Sequence, residues 1–308
     1  MRITTLSAFE SSLANLQRRQ QQLSASQEQL TSGKRVLRPS DDPAAAAAAE
    51  RALAAAARSD AQMRALDASR LATQLTEGAL GDAGELLQQA RELLVAAGNG
   101  SYGDADRLDL AERLRGLRGD LYTVANRSDG AGRHLFGGQG SDGPPFADGP
   151  GGVVFQGVAG QAQAAAGSST PLSLDGRAVW LQAADPAQVG QLLSVFDALD
   201  RAVGELSTPG RSVAEVSQTV SRGLGEIDAS AAHLAAWRSR AGETLNRLDA
   251  LGSRLAQDKL EAQQARSEAE DLDMLEAISE FQNRQSGYDA ALKTYSIVQR
   301  MSLFDYLR

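Results

Sequence analysis

The sequence contains no cysteine and only two histidines, His134 and His233. Disulfides, thiolate nucleophiles, zinc fingers and iron–sulfur clusters are thereby excluded, and a histidine-rich metal site with them. Aromatic residues make up only 5% of the chain, so a core of small aliphatic side chains is expected, without a deep aromatic-lined ligand pocket. Cations are in the minority: 31 Lys and Arg against 39 Asp and Glu leave a net charge of −8. That balance argues against a sequence-independent nucleic-acid binder, which needs clustered cations to displace phosphate counterions. No apolar stretch reaches the ~18 residues that span a bilayer, and no membrane insertion is expected. Between Met1 and Leu30 there is no unbroken apolar run, so a cleavable signal peptide is not expected either.

What the chain does have is alanine and leucine, 54 and 40 residues against 18 of valine and isoleucine together. Alanine and leucine lose little in a helix, whereas β-branched side chains lose rotamer freedom there, so the fold is read as mainly α. At 308 residues, and with about 150 residues per domain as a prior, roughly two domains are expected. Breakers are concentrated in the middle, where residues 130–176 carry 13 of the 30 glycines and four of the eight prolines. Within that stretch Gly152 to Phe155 and Arg177 to Leu181 read as short strands between turn clusters. The division predicted is a helical arm with core helices over 1–132, a surface-exposed β-rich insert over 133–185, and long helices with a second arm over 186–308.

Each arm carries a seam. Leu6, Phe9, Leu13, Leu16, Gln20, Leu23, Gln27 and Leu30 alternate gaps of three and four, and Met274, Ile278, Phe281, Gln285, Tyr288, Leu292, Tyr295 and Gln299 do the same near the other end. This is the a/d pattern of helices that pack on helices, so the two ends are predicted to pair in a coiled-coil bundle. Their charges are complementary, +4 over residues 1–38 and −4 over residues 256–308. Burial along one seam falls short of the entropy of ordering so long a helix, so the arms are expected to order when subunits stack.

Gly33 suits the left-handed turn that ends a helix. The loop after it closes on Pro39-Ser40-Asp41-Asp42-Pro43, in which Asp42 is placed to cap and Pro43 to open the next helix. That helix is expected to be interrupted at Gly78, Gly81 and Gly84, and again at Gly98-Asn99-Gly100. Further helices are predicted over Asp104 to Asn126 and Pro186 to Gly204, and from Val213 onward no proline occurs before Gln299.

Chemical readings of these residues are weaker than structural ones. The pair Asp41 and Asp42 is better explained by capping than by acid–base chemistry. Gly137 to Asp142 matches the start of a calcium-binding nonapeptide repeat, but a single copy with Pro144 at the aliphatic position cannot build the ladder. Neither histidine has a serine and carboxylate in triad spacing. Asn99-Gly100-Ser101 and Asn126-Arg127-Ser128 match the N-glycosylation pattern, which arises often by chance. No catalytic residue, metal site or cofactor is predicted.

Arg2-Ile3-Thr4-Thr5, the Leu/Gln seam, Gln29-Leu30-Thr31-Ser32-Gly33-Lys34-Arg35-Val36 and Pro39-Ser40-Asp41-Asp42-Pro43 together resemble the flagellin superfamily. Leu135-Phe136-Gly137-Gly138, Pro145-Phe146 and the ending Ser302 to Leu307 resemble its hook–filament junction branch, whereas flagellin itself usually differs after the paired aspartates and at the C-terminus. Thr31 stands where the family more often has serine and keeps the hydroxyl. The resemblance implies a non-enzymatic structural protein of the extracellular bacterial flagellum, exported unfolded and without a cleavable signal. It implies self-assembly into a ring, with hook-associated protein 1, flagellin and a flagellar export chaperone as partners. Subunit contacts would then fall on Leu6, Leu13, Leu16, Leu23, Leu30, Ile278, Phe281, Tyr288, Leu292, Tyr295, Leu303, Phe304 and Tyr306. The loop motif is Gly33, Pro39, Ser40, Asp41, Asp42 and Pro43. A divergent filament subunit, or an intracellular coiled-coil signalling scaffold, are the alternatives.

Overall fold

A computed structural model describes residues 2–141, 143–164, 170–188 and 190–306, with the side chains of the first and last helices described from Glu10 and as far as Ile297. In chain order the elements are α1 (Arg2–Ser32), α2 (Pro43–Ala97), α3 (Asp104–Ala125), β1 (Phe146–Gly149), β2 (Gly152–Phe155), α4 (Gly176–Trp180), β3 (Ala183–Ala184), β4 (Leu192–Leu193), α5 (Val195–Leu206), α6 (Val213–Glu270) and α7 (Met274–Tyr306). The strands form two antiparallel pairs, β1 with β2 and β3 with β4, so the chain is mainly helical with a small β-containing middle. Two compact units result: one from residues 1–59 and 256–308, the other from residues 60–255.

The two longest helices are organised by a repeat of seven. On α2 the buried positions include Ala52, Ser59, Leu66, Thr73, Leu80, Leu87 and Leu94; on α6 they include Val220, Ile227, Leu234, Ala241, Leu248, Leu255 and Ala262. Each set steps by seven residues throughout, the spacing that keeps one seam facing a partner helix. Within the unit of residues 60–255, Leu66 packs against Leu248 and Leu255. Ion pairs Arg70–Asp249, Arg91–Asp228 at 2.9 Å and Arg238–Glu77 at 2.6 Å tie the flanks. Rising numbers on one helix meet falling numbers on the other, so the pair is antiparallel.

The expected interruption of α2 at Gly78, Gly81 and Gly84 does not occur. Leu80, Ala83 and Leu87 beside these glycines are buried, and that burial outweighs the cost of about 1 kcal/mol that each glycine brings to a helix interior. The helix stops instead at Gly98, whose amide donates to Leu94 O and Val95 O, both at 3.2 Å.

The middle of the chain bears out one expectation and corrects three. Gly152 to Phe155 is a strand, paired with β1 through the register Phe146 with Phe155. Arg177 to Leu181 is not: Asp175 accepts from the amides of Arg177 and Ala178 and caps a short helix there, a local bond that an apolar run does not reveal. Pro186 to Gly204 is helical only from Val195, because Ser194 is the cap that accepts from Phe196 and Asp197, while the preceding residues turn back to pair β4 with β3. Nor is the core purely aliphatic. Six of the chain's aromatic rings meet at one hub: Phe136 edge-on to Trp180 at 5.3 Å, Trp180 stacked on Phe196 at 5.9 Å, with Phe146, Phe155 and Tyr122 around them. Tyr122 Oη donates to Phe146 O at 2.8 Å, and Asn126 accepts from Phe146 N at 2.9 Å, fixing β1 to α3. Arg118 completes the clamp from outside: it binds Asp148 and Asp200 and lies 5.7 Å from the Phe196 ring centre.

Two glycines separate local from tertiary constraint. A β-carbon on Gly138, where φ is +68°, would stand 1.9 Å from Val158 O, whereas one on Gly78 would meet nothing within 4 Å. Gly138→Ala is therefore expected to cost more than about 1 kcal/mol, and Gly78→Ala to add roughly 0.5–1 kcal/mol, in urea unfolding. Glu226 supplies a pH test. Its side chain is 1% exposed, and burial raises its pKa above the ordinary 4.5 because the Arg201 ion pair on its open side offsets only part of the desolvation. A raised carboxylate pKa means that the native state gains protons, and stability, as pH falls through the folded value toward 4.5. Glu226→Gln is expected to melt higher than the parent at neutral pH, with the gap closing as the buffer is acidified.

Candidate assembly interface

The unit of residues 1–59 and 256–308 brings the two seams together, α1 lying against α7. Leu16 and Ser26 are buried on α1, with Leu23 and Leu30 half-buried. Opposite them, Phe281, Tyr288 and Tyr295 are half-buried on α7. The Ser26 hydroxyl donates to Gln22 O at 2.9 Å and accepts from the Arg284 guanidinium. Close approach is possible at Gly287, where a β-carbon would come 2.8 Å from the Arg19 guanidinium.

Other seam positions are not covered by this pairing. Leu13 is 41% exposed, Ile278 45%, Leu292 41%, and their neighbours Leu275 and Ile297 are 82% and 57% exposed. The side chains of Leu6, Leu303, Phe304 and Tyr306 lie outside the described residues.

The loop between α1 and α2 is stitched to the junction between α6 and α7. Gly33 has φ +70° and ends α1, its amide donating to Gln29 O at 2.9 Å. Its carbonyl accepts from Leu272 N at 3.0 Å, and Arg35 N donates to Glu270 O at 2.7 Å, so Lys34 and Asp271 face each other as an antiparallel bridge. The Glu270 carboxylate receives Lys34 Nζ at 3.0 Å and Arg266 Nε at 2.8 Å. Arg35 reaches two helix ends at once: its guanidinium donates to Ala269 O at 2.9 Å and to Asp42 Oδ2 at 3.3 Å. A cation at the C-terminal carbonyls of α6 and a carboxylate at the N-terminus of α2 both suit the helix dipoles.

Within the loop the two aspartates divide the work. Asp41 accepts from the amides of Leu37 and Arg38 at 3.1 and 2.8 Å, closing the turn that contains Pro39 and Ser40. Asp42 accepts from Ala45 N at 3.0 Å, one turn into the helix that Pro43 opens. The Ala45 amide, and after it Arg35, hold the Asp42 carboxyl below its ordinary value of 3.8. Sequence reasoning named this loop but neither its docking partners Glu270 and Asp271 nor the nearby cap Asp273. Asp273 caps α7 through the amides of Leu275 and Glu276 at 3.0 and 3.2 Å, and the signal available was the doublet Asp271-Leu272-Asp273 before an apolar seam.

Among the described residues there is no group of three or more His, Cys, Asp or Glu placed to hold a metal ion, and no helix is long and apolar enough to cross a membrane. What the geometry offers is an interlocked pair of terminal helices with apolar side chains left over, the arrangement of a helical assembly subunit. The family models agree on that class: residues 3–141 match the bacterial flagellin N-terminal helical region and residues 224–307 the bacterial flagellin C-terminal helical region. The chain is 31% identical over 326 residues to flagellar hook-associated protein 3 of Salmonella typhimurium, covering 100% of both, and 28% identical to that of Escherichia coli, covering 99% of both. It belongs to the hook-associated protein 3 family of flagellin-like structural proteins. A crystal structure of flagellar hook associated protein-3 from Legionella pneumophila has the same fold, with a TM-score of 0.59 at 17% identity over 81% of this chain and 99% of that one.

Asp42 carries a prediction. A carboxylate whose folded pKa lies below the unfolded value of 3.8 contributes stability above that pH and loses it as pH falls through the folded value. Asp42→Ala should speed amide exchange at Ala45 and lower the melting temperature at neutral pH, and the difference in melting temperature should shrink once the buffer falls below that range.

Proposed function

We propose that this chain is a structural subunit of the flagellar hook–filament junction, without enzymatic activity. It would assemble with copies of itself, with hook-associated protein 1 on the hook side and with flagellin on the filament side. The observation that carries the reading is the unfinished seam: Leu13, Ile278 and Leu292 continue the apolar stripes of α1 and α7, yet stay 41–45% exposed when those helices pair. Stripes of this kind are completed by further helices, and neighbouring subunits are the source that a ring provides. Leu6, Leu16, Leu23, Leu30, Phe281, Tyr288, Tyr295, Leu303, Phe304 and Tyr306 belong to the same set. The loop Gly33 to Pro43 then acts as the rigid corner that sets where α1 leaves α2.

This reading places the protein outside the cell, delivered through the flagellar export channel with a dedicated chaperone rather than by a cleaved signal. The chain's match to hook-associated protein 3 along its whole length favours the junction over a divergent filament subunit.

The test is genetic. Deleting the gene is expected to leave hooks without filaments and flagellin free in the medium, visible by electron microscopy and immunoblot, and the wild-type gene should restore filaments. A triple variant Leu13→Glu, Ile278→Glu, Leu292→Glu should be exported and keep the thermal melt of the 60–255 unit yet fail to restore them. Full filaments in the deletion strain would overturn the assignment; full rescue by the triple variant would overturn the interface.

A further inference from the structure

Of the five asparagines in the chain, Asn15, Asn99, Asn126, Asn246 and Asn283, only Asn99 is followed by glycine. Asn15, Asn246 and Asn283 lie inside helices, where the next residue's amide belongs to the backbone ladder. Asn126 is held at both ends of its amide, Oδ1 accepting from Phe146 N at 2.9 Å and Nδ2 donating to Phe146 O at 3.3 Å, and the Arg127 amide donates to Val124 O at 3.1 Å.

Asn99 differs on every count. It is exposed in the turn that joins α2 to α3, its own amide donating to Ala96 O at 3.0 Å and its carbonyl accepting from Tyr102 N at 3.1 Å. The Gly100 amide donates to no acceptor among the described residues. The Asn99 side-chain oxygen receives two donors from Ser101, the backbone N–H at 3.1 Å and the hydroxyl at 2.9 Å. Those two bonds point at the atom that becomes an oxyanion when a nucleophile adds to Cγ, the arrangement by which donors lower the barrier to attack on a carbonyl. The nucleophile is built in: the free Gly100 nitrogen, with no side chain to obstruct it.

We propose that this turn is a self-modifying site, at which folded protein converts Asn99 to aspartate or isoaspartate without an enzyme. The Gly100 nitrogen gives its proton to solvent base and bonds to Asn99 Cγ. Electrons move onto Oδ1, held by Ser101. As the carbonyl re-forms, the Cγ–Nδ2 bond breaks and Nδ2 leaves as ammonia with a proton from water. Water then opens the five-membered imide at either carbonyl, leaving a carboxylate at position 99. The product places a negative charge just beyond the C-terminus of α2, the end whose dipole disfavours it. The isoaspartate form also lengthens the backbone between two hydrogen bonds of the turn, those of Asn99 N and Tyr102 N. The Tyr102 ring, partly buried against the main core, is the nearest packed group to feel the change.

Purified full-length protein is incubated in mildly alkaline buffer, folded or in denaturant, and the amide at each asparagine is followed by peptide mass mapping, with released ammonia measured in parallel. Asn99 should be lost first, faster in the folded chain than in denaturant. Ser101→Ala removes the hydroxyl donor but keeps the backbone donor, and should slow the loss on the order of tenfold. Gly100→Ala should nearly abolish it; a β-carbon there meets nothing within 4 Å and φ is not positive, so the variant folds. Slower loss in the folded chain than in denaturant, or Ser101→Ala reacting at the parental rate, would overturn the proposal.

Discussion

The seven-residue register of α2 and α6 is the constraint on which the other features rest. Seven side chains on each helix fall on one line, and most are leucine, isoleucine, valine or alanine with little or no exposed surface. Within the 60–255 unit these two helices run antiparallel along that line, which is how a chain with so few aromatic residues builds a packed scaffold from few kinds of side chain. Everything else is an attachment to that pair. The region between α3 and α5 folds its hub of rings and its two small hairpins within the 60–255 unit. In chain order α1 leads into α2, and α7 follows α6.

Where the arms join, ionic and backbone bonds replace apolar packing. Glu270 and Arg35 each bind more than one partner, so the ends of three helices are tied together by a handful of polar groups. Such a joint is directional where a hydrophobic contact is not. It sets the angle of an arm without covering its seam, and Leu13, Ile278 and Leu292 stay exposed.

Much of this was legible in the sequence, for identifiable reasons. The seams of α1 and α7 announce themselves because leucine and aromatic residues stand out against glutamine and serine, and the stop at Gly33 follows from the one residue type at ease with φ +70°. The longer repeat on α2 and α6 was missed because alanine, serine and threonine hold several of its places: Ala52, Ser59 and Thr73 on one helix, Ala241 and Ala262 on the other. These residues are buried because helices approach closely, which is a tertiary fact. The same holds for Gly78, Gly81 and Gly84, read locally as a break and overridden by their buried neighbours. The strand expected at Arg177 to Leu181 failed because Asp175 decides it, and composition gives no hint of where a carboxylate will point. Docking of the loop on Glu270 could not be read at all, since it rests on backbone bonds and one carboxylate that no repeat of residue types marks.

The separation in sequence between that loop and Glu270 bears on the cost of forming the joint. The contact between Lys34 and Glu270 spans 236 residues, and closing so wide a loop in an unfolded chain brings a large entropic cost and little reward. Once residues 60–255 have folded, Leu66 packs with Leu248 and Leu255 at the margins of that unit, and the open loop shrinks to the short flanks on either side. Loop closure therefore costs the joint less after the middle of the chain has folded than before it.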